Sequence, residues 1–498
     1  MEKNMKRFMK RFWKMIIPFV LGLGLFASNT YWEGVLIPVF SKEISVDDAI
    51  DQKVSVYFTK IRGDRAALRS FLQKMPKGGE LHTHLSGHPT PERLLELAAN
   101  SATFRYFIRV PNQKSAPDDP QAYTFVAIPP DATIPQDEKA TLVPVANLLN
   151  PQTETQRQQL LYYRQAQIIS ATETNPNNVF FNAIFARNDA VTGNPEIVKQ
   201  MLADVVAEAH DNHLSYIEPM FSPFPNNPVE NKAEEYKVLN VTTAREYLKS
   251  LLAAVKTANQ KYPENERVEV KFMLSFRRTS AKIFTQLPIA FELAAGNDVV
   301  GDAIAGINFV GNEYSEDPVI GKEITAPSSL DNYISTLRRI YPTVRLSIHA
   351  GESNQWDWHI RDSILMGADR VGHGVNLAKS PLRNSPDIIL MRRRKVLIEA
   401  CLTSNYLLLK LPIAKHPFLS YLRLGIPVSL NTDDQGIFQT NITEEFARAV
   451  ENYPRLKWQE LKQMARYSLE YAFVDENIKD KLIANWENQM RAFANSLP

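Results

Sequence analysis

Two histidines one residue apart, His82 and His84, sit in the short stretch Gly79-Glu80-Leu81-His82-Thr83-His84-Leu85. In an extended strand, side chains at i and i+2 leave the same face, so both imidazoles can reach one point in space. Two ring nitrogens aimed at one point are half of a metal cage, and alone they are a weak pattern. Three later stretches each place polar residues at the end of an apolar, β-branched run: Leu346-Ser-Ile-His-Ala-Gly-Glu352, Arg370-Val-Gly-His-Gly374 and Val428-Ser-Leu-Asn-Thr-Asp-Asp434. His349 would supply a third imidazole and Asp433 a carboxylate, leaving room for one water. A divalent ion held this way lowers the pKa of water to roughly 7, which makes a nucleophile at neutral pH. Glu352, three residues past His349, and His373, between two glycines, are placed to handle protons or orient the water. Asp434, beside the last ligand, is free to touch substrate or to hold a supporting hydrogen bond.

Each of these residues has a plainer use when taken singly. A lone histidine is usually core or surface, and His88, His210, His213, His359 and His416 are read that way. Asp433-Asp434 could be a turn or a helix cap, and Glu352 could cap the helix that follows it. The conjunction carries the reading: residue types suited to metal-assisted hydrolysis recur at strand ends, in chain order.

The elements that must position them follow from periodicity. Strands are expected at 79–85, Leu214–Met220, Val268–Phe276, Ala303–Val310, Val344–His349, Arg370–Gly374, Lys395–Cys401 and Pro427–Thr432. Helical patterns such as Ala244–Gln260, Leu330–Ile340 and Ile360–Met366 separate most of them. Eight apolar strands alternating with helices imply a parallel sheet covered on both faces, an α/β fold of the (β/α)8 barrel type. In that architecture strand C-termini build the active site, and all the polar residues above fall there. Residues 29–74 read as a helical N-terminal extension, 75–498 as the barrel domain, and Thr443–Pro498 as a helical tail outside the barrel. Residues 105–155 hold eight prolines and one expected strand, Tyr123–Ile128; this insertion could be a lid, a dimer contact or a surface excursion. Phe180, Phe181, Ile184 and Phe185, on one side of an expected helix, are read as core packing.

Composition limits the partners. With 44% hydrophobic and 22% charged residues the chain resembles an ordinary globular enzyme. Its net charge of +2 is uneven, because Lys3, Lys6, Arg7, Lys10, Arg11 and Lys14 against Glu2 give the first 28 residues +5; 2 − 5 = −3 remains for the body. No basic surface is forced, so nucleic-acid binding has no electrostatic support. The basic head, the apolar run Met15–Phe26 and the small residues Ala27 and Ser28 have the order of a secretory signal. An exported protein is expected, periplasmic or secreted, with residues 15–26 as an anchor if the signal is not cleaved. A lone cysteine, Cys401, excludes an intramolecular disulfide framework.

Taken together, Met75-Pro-Lys-Gly-Gly-Glu-Leu-His-Thr-His-Leu-Ser-Gly87, Ser347-Ile-His-Ala-Gly-Glu352, Arg370-Val-Gly-His-Gly374 and Ser429-Leu-Asn-Thr-Asp-Asp434 resemble the adenosine deaminase family. Gly306-Ile-Asn-Phe-Val-Gly-Asn-Glu313 and Thr403-Ser-Asn405 are similar to two further signatures of that family. The long N-terminal part and the export signal resemble its secreted, growth-factor-related branch. The resemblance implies zinc-dependent hydrolytic deamination at C6 of a purine, with one Zn²⁺ on His82, His84, His349 and Asp433. It implies that Glu352 protonates N1, that His373 steers the water, that Asp434 takes a hydrogen bond from the attacking hydroxyl or a protonated N7, and that Gly311 offers its backbone N–H to the ring. Three positions depart from the family pattern. Ser86 stands where the compact enzymes carry an Asp that contacts the ribose, Asn312 replaces an Asp, and Gln435 replaces a Pro. They bear on sugar specificity more than on the chemistry. Adenosine, and with it 2′-deoxyadenosine, is the expected substrate; adenine, an adenine nucleotide or an N6-substituted adenosine is the rival. Arg277, Arg278 and Lys77 are the only nearby cations for a phosphate. A non-catalytic secreted binding protein on the same fold is the third reading, and a homodimer is compatible with all three.

Overall fold

Strands that are apolar on both faces can lie only between two layers of other structure, and eight such runs pair side by side in this chain. The computed structural model describes residues 48–498 except 112–116, 225–239, 279, 281, 314–329, 354–357 and 380–384. The expected signal or anchor at 1–28, and the extension up to residue 47, lie outside the described residues. The strands are β1 (Gly78–His84), β2 (Leu214–Phe221), β3 (Phe272–Arg277), β4 (Ile304–Val310), β5 (Leu346–Ala350), β6 (Arg370–His373), β7 (Leu397–Ala400) and β8 (Val428–Leu430). They pair in parallel in that sequence order, with the two-residue strand Glu269–Val270 added on β2.

The sheet closes between β8 and β1 by few bonds, all at the C-terminal end. Asp433 N donates to His82 O (2.9 Å) and His84 N to Asp433 O (3.1 Å). The seam of this nearly closed barrel therefore lies beside three of the four expected metal ligands. Helices cover the outside; Pro195–Asp211, for instance, opens with Asn194 accepting from Glu196 N and with Pro at its first position. One continuous core runs through barrel and helices, from Leu81, Phe272 and Ile348 to Trp458 and Trp486.

The tail does more than pack outside. Trp458–Glu470 crosses the closing seam at the foot of the barrel, where Ser468 Oγ accepts from Gly79 N (2.7 Å). Gly78 there has φ +78°, and a Cβ on it would stand 2.1 Å from Ala465 O, so only glycine lets this helix approach.

The insertion differs from expectation. Instead of one strand it holds a three-stranded antiparallel sheet of Arg105–Arg109, Thr124–Ile128 and Leu142–Pro144, with the first in the centre. Its prolines fall mostly between the strands rather than inside them, which is why proline density hid two of the three. Buried Arg187 fastens it to the barrel by donating to Pro117 O (2.5 Å) and Asp119 O (2.8 Å). Nearby, Val179–Ile184 winds as a π-helix, a wide form that recurs at functional sites.

Candidate active site

The four expected ligands converge. One nitrogen or oxygen from each of His82, His84, His349 and Asp433 lies within 4.8 Å of the others. His84 Nε2 faces His349 Nε2 at 3.2 Å, and Asp433 Oδ1 lies 3.2 Å from His84 Nε2 and 3.5 Å from His82 Nε2. His82 Nε2 is buried with no hydrogen bond among the described residues.

Strand geometry puts them there. His82 is wholly buried and His84 half-buried at the end of β1, while His349 is the last residue but one of β5, before Ala350. Asp433 follows β8 in a left-handed conformation (φ +63°), as does His373 at the end of β6 (φ +63°). Such a backbone costs a non-glycine residue about 1–2 kcal/mol, and here it turns both side chains toward the centre. Gly372 makes room for the neighbouring ring, since a Cβ there would come within 2.8 Å of His82 Cε1.

Two supports orient the imidazoles. His82 Nδ1 donates to Glu399 Oε2 (2.8 Å) and His349 Nδ1 to Asn308 Oδ1 (2.7 Å), which leaves both Nε2 lone pairs aimed at the cluster. Glu399 lies on β7 and pairs in register with Gly372 on β6. Its other oxygen accepts from Ser347 Oγ (2.9 Å) and meets Arg370 Nε (2.7 Å), so a buried cation holds the carboxylate ionised. Burial pulls His82 down, yet Asp433 and Glu399 together push it up to about 10: the pocket asks for positive charge. Burial and the neighbouring histidines hold His349 well below its ordinary value, which favours its neutral form, the one a metal would need. Burial would raise Asp433, but His82 and His84 hold it well below the carboxylate range. Three imidazoles, one ionised carboxylate and an orphaned buried nitrogen fit a borderline divalent cation such as Zn²⁺.

Around this cluster lie the groups expected to handle protons. His373 Nε2 stands 3.8 Å from Glu352 Oε2, beside His82 and His349. Burial, then the charges of Asp433 and Glu313, raise Glu352 well above the carboxylate range and so favour its protonated form. Burial brings His373 down to about 4. Asp434 is raised by burial and by Asp433; its Oδ1 sits where a Cβ on Gly87 would fall 1.8 Å away.

Glu313 holds the Glu352 loop: its carboxylate accepts from Gly351 N (3.0 Å), Glu352 N (3.0 Å) and His359 Nδ1 (2.9 Å). His359 is thus a buried, hydrogen-bonded core histidine, as read from the sequence, and it supports the Glu352 loop through Glu313. His88 likewise faces Glu208 Oε2 (3.2 Å), which accepts from Gln435 (2.6 Å) at the position that departs from the family pattern.

A cavity of about 450 Å³ opens over the cluster and reaches Ser86, Gly311, Glu352, His373 and Asp434. Its outer wall includes Phe180, Phe181 and Phe185. The core-packing reading of these rings is thus half right, since Phe180 and Ile184 are buried against Phe438 while three of the rings face the cavity. The three expected phosphate cations separate. Arg277 lines the cavity over the Phe185 ring, 5.8 Å from its centre. Arg278 is buried and donates to Phe309 O (2.8 Å) and His349 O (2.6 Å). Lys77 lies at the foot of the barrel, donating to Met75 O (3.1 Å) and Asn212 O (2.9 Å). Sequence reasoning missed Lys282, which lines the cavity from the segment after β3.

Comparison with known proteins bears on the family and the fold. Residues 158–488, well over half of the chain, match the family described as adenosine deaminase. The matched span starts after β1, so His82 and His84 join the site through the fold. The chain is 26% identical over 288 residues to an adenosine deaminase of Enterococcus faecalis, covering 58% of this chain and 75% of that one. It is 25% identical over 304 residues to an N6-methyl-AMP deaminase of Bos taurus, covering 60% and 78%. The crystal structure of an adenine deaminase from Arthrobacter aurescens has the same fold, with a TM-score of 0.55 at 18% identity over 83% of this chain and 98% of that one. The chain belongs to the adenosine deaminase family and is an aminohydrolase acting on a purine C–N bond.

Proposed function

We propose that the protein deaminates adenosine, and 2′-deoxyadenosine with it, to the inosine product and ammonia, with one Zn²⁺ on His82, His84, His349 and Asp433. The observation that carries it is a buried Glu352, its carboxyl pushed well above the usual range, beside a cage of four donors at the floor of a base-sized cavity. A bound zinc would activate water for attack on C6. The rest falls to this chain's residues. An aromatic amine leaves poorly until the ring is protonated, and Glu352 has the proton to give to N1. Glu313 fixes the loop that aims it. His373 contacts the attacking oxygen, Asp434 reaches N7 or that oxygen, and Gly311, with φ +95°, turns its backbone toward the cavity.

A second reading is favoured by one observation: Arg277 and Lys282 line the cavity, and Ser86 brings no carboxylate there. These residues would accept a 5′-phosphate, making an adenine nucleotide or its N6-substituted form the substrate. A panel of adenosine, 2′-deoxyadenosine, adenine, AMP and N6-methyl-AMP with zinc-loaded protein decides. Highest kcat/KM on adenosine supports the first reading; preference for AMP that Arg277→Ala removes supports the second. No turnover on any member leaves the non-catalytic binding protein. Export rests on the basic, apolar and small order of residues 1–28; among the described residues no helix is long and apolar enough to cross a membrane. Intact mass of the protein recovered from periplasm and medium tests it, and a full-length cytoplasmic product would reject it.

A further inference from the structure

His373 has two ring nitrogens, and a chain of buried groups behind it fixes which one carries the proton. The chain starts at a group that can only donate: the backbone N–H of Phe418 points at His416 Nδ1 (3.3 Å). That nitrogen must accept, so the proton of neutral His416 is on Nε2. His416 Nε2 lies 3.1 Å from the Asn405 amide, whose facing atom must then be the oxygen. The other end of the amide, its NH2 group, faces His373 Nδ1 at 3.2 Å. Thus His373 Nδ1 accepts, and its proton is on Nε2, the nitrogen turned toward Glu352. All three side chains are buried, so each of these contacts is made away from bulk solvent. The amide orientation follows from the backbone donor rather than from atom labels that could be exchanged. Burial also holds His416 neutral, down to about 3, as this arrangement needs.

We infer that Asn405 and His416 are positioning residues that lock His373 in its Nε2–H tautomer, making it a hydrogen-bond donor to the attacking oxygen with no free nitrogen to take a proton from it. The wiring stands on geometry alone; its consequence for catalysis rests on the deaminase reading above. It gives the Thr403-Ser404-Asn405 segment a task. It also turns His416, read from sequence as bland, into the far anchor of the site.

The test is a two-bond proton–nitrogen correlation spectrum of the zinc-loaded full chain labelled with ¹⁵N-histidine, with assignments from His373→Gln and His416→Gln. Expected for both rings is a protonated Nε2 and a bare, accepting Nδ1. Asn405→Asp, which offers only acceptors, should move the His373 proton to Nδ1 and lower kcat by about 10²–10⁴-fold, with KM and zinc content unchanged. His416→Gln, whose amide can still donate to Asn405, should keep the His373 signature, and His416→Leu should lose it. A wild-type spectrum with the proton on His373 Nδ1, or a doubly protonated ring, overturns the inference whatever the variants do. So does Asn405→Asp with wild-type spectrum and kcat. The expected spectrum in a protein that turns over no 6-aminopurine would keep the wiring and reject the deaminase reading.

Discussion

A carboxyl group that stays protonated at neutral pH is costly in water and inexpensive in a dry pocket beside another carboxylate. Glu352 is in such a pocket, and its proposed role as proton donor sets two expectations. Glu352→Gln should lower kcat by about 10²–10⁴-fold while zinc stays bound, since glutamine keeps the shape and loses the transferable proton. In the wild-type enzyme the rate should fall as pH rises through the raised pKa of Glu352, because the acid form is then lost; a limb in the ordinary carboxylate range would contradict this. At the same scale, Glu399→Gln should weaken zinc binding by about 10–100-fold, read by competition with a chelator, as His82 loses its charged partner. Arg370 keeps Glu218, whose Oε1 lies 3.0 Å from Nη1, so the fold should survive that change.

Between residues and fold stand the strand ends. Gly372 on β6 faces the His82 ring so closely that Gly372→Ala must push the imidazole aside. Zinc affinity should fall in a variant that still unfolds cooperatively; unchanged affinity would show that the ring has slack. This scale also explains what was legible. The His82–His84 spacing is a local property of one strand, and the four polar strand ends repeat in order, so the convergence of His82, His84, His349 and Asp433 near Glu352 could be read directly. Glu399, Asn308, Glu313, Asn405 and His416 could not. Most of them work through partners dozens to hundreds of residues away that only barrel register supplies, as Gly372 opposite Glu399 does, and His416 joins through Asn405. Alternation of strand and helix gave the barrel, whereas the small sheet of the insertion was hidden because its strands are short and set among prolines.

For the molecule as a whole, ligand burial and buried neutral histidine couple stability to metal and to pH. Zinc held as proposed would bind only the folded donor set, so chelation should lower Tm, and restoring zinc should return it. His416 has a folded pKa near 3 against an ordinary 6.5, so below about pH 6.5 the unfolded chain binds the extra proton. Stability should therefore fall as pH drops from about 6.5 toward about 3, and His416→Gln should flatten part of that slope, measured as urea midpoints across this range. A slope of opposite sign would mean that His416 is charged in the native state.

Water must supply the new oxygen if this is hydrolytic deamination. Zinc-loaded protein turning over adenosine in H2¹⁸O should yield inosine with ¹⁸O at C6, and no product after chelation. Unlabelled inosine, or undiminished turnover once the metal has been removed, would contradict the account.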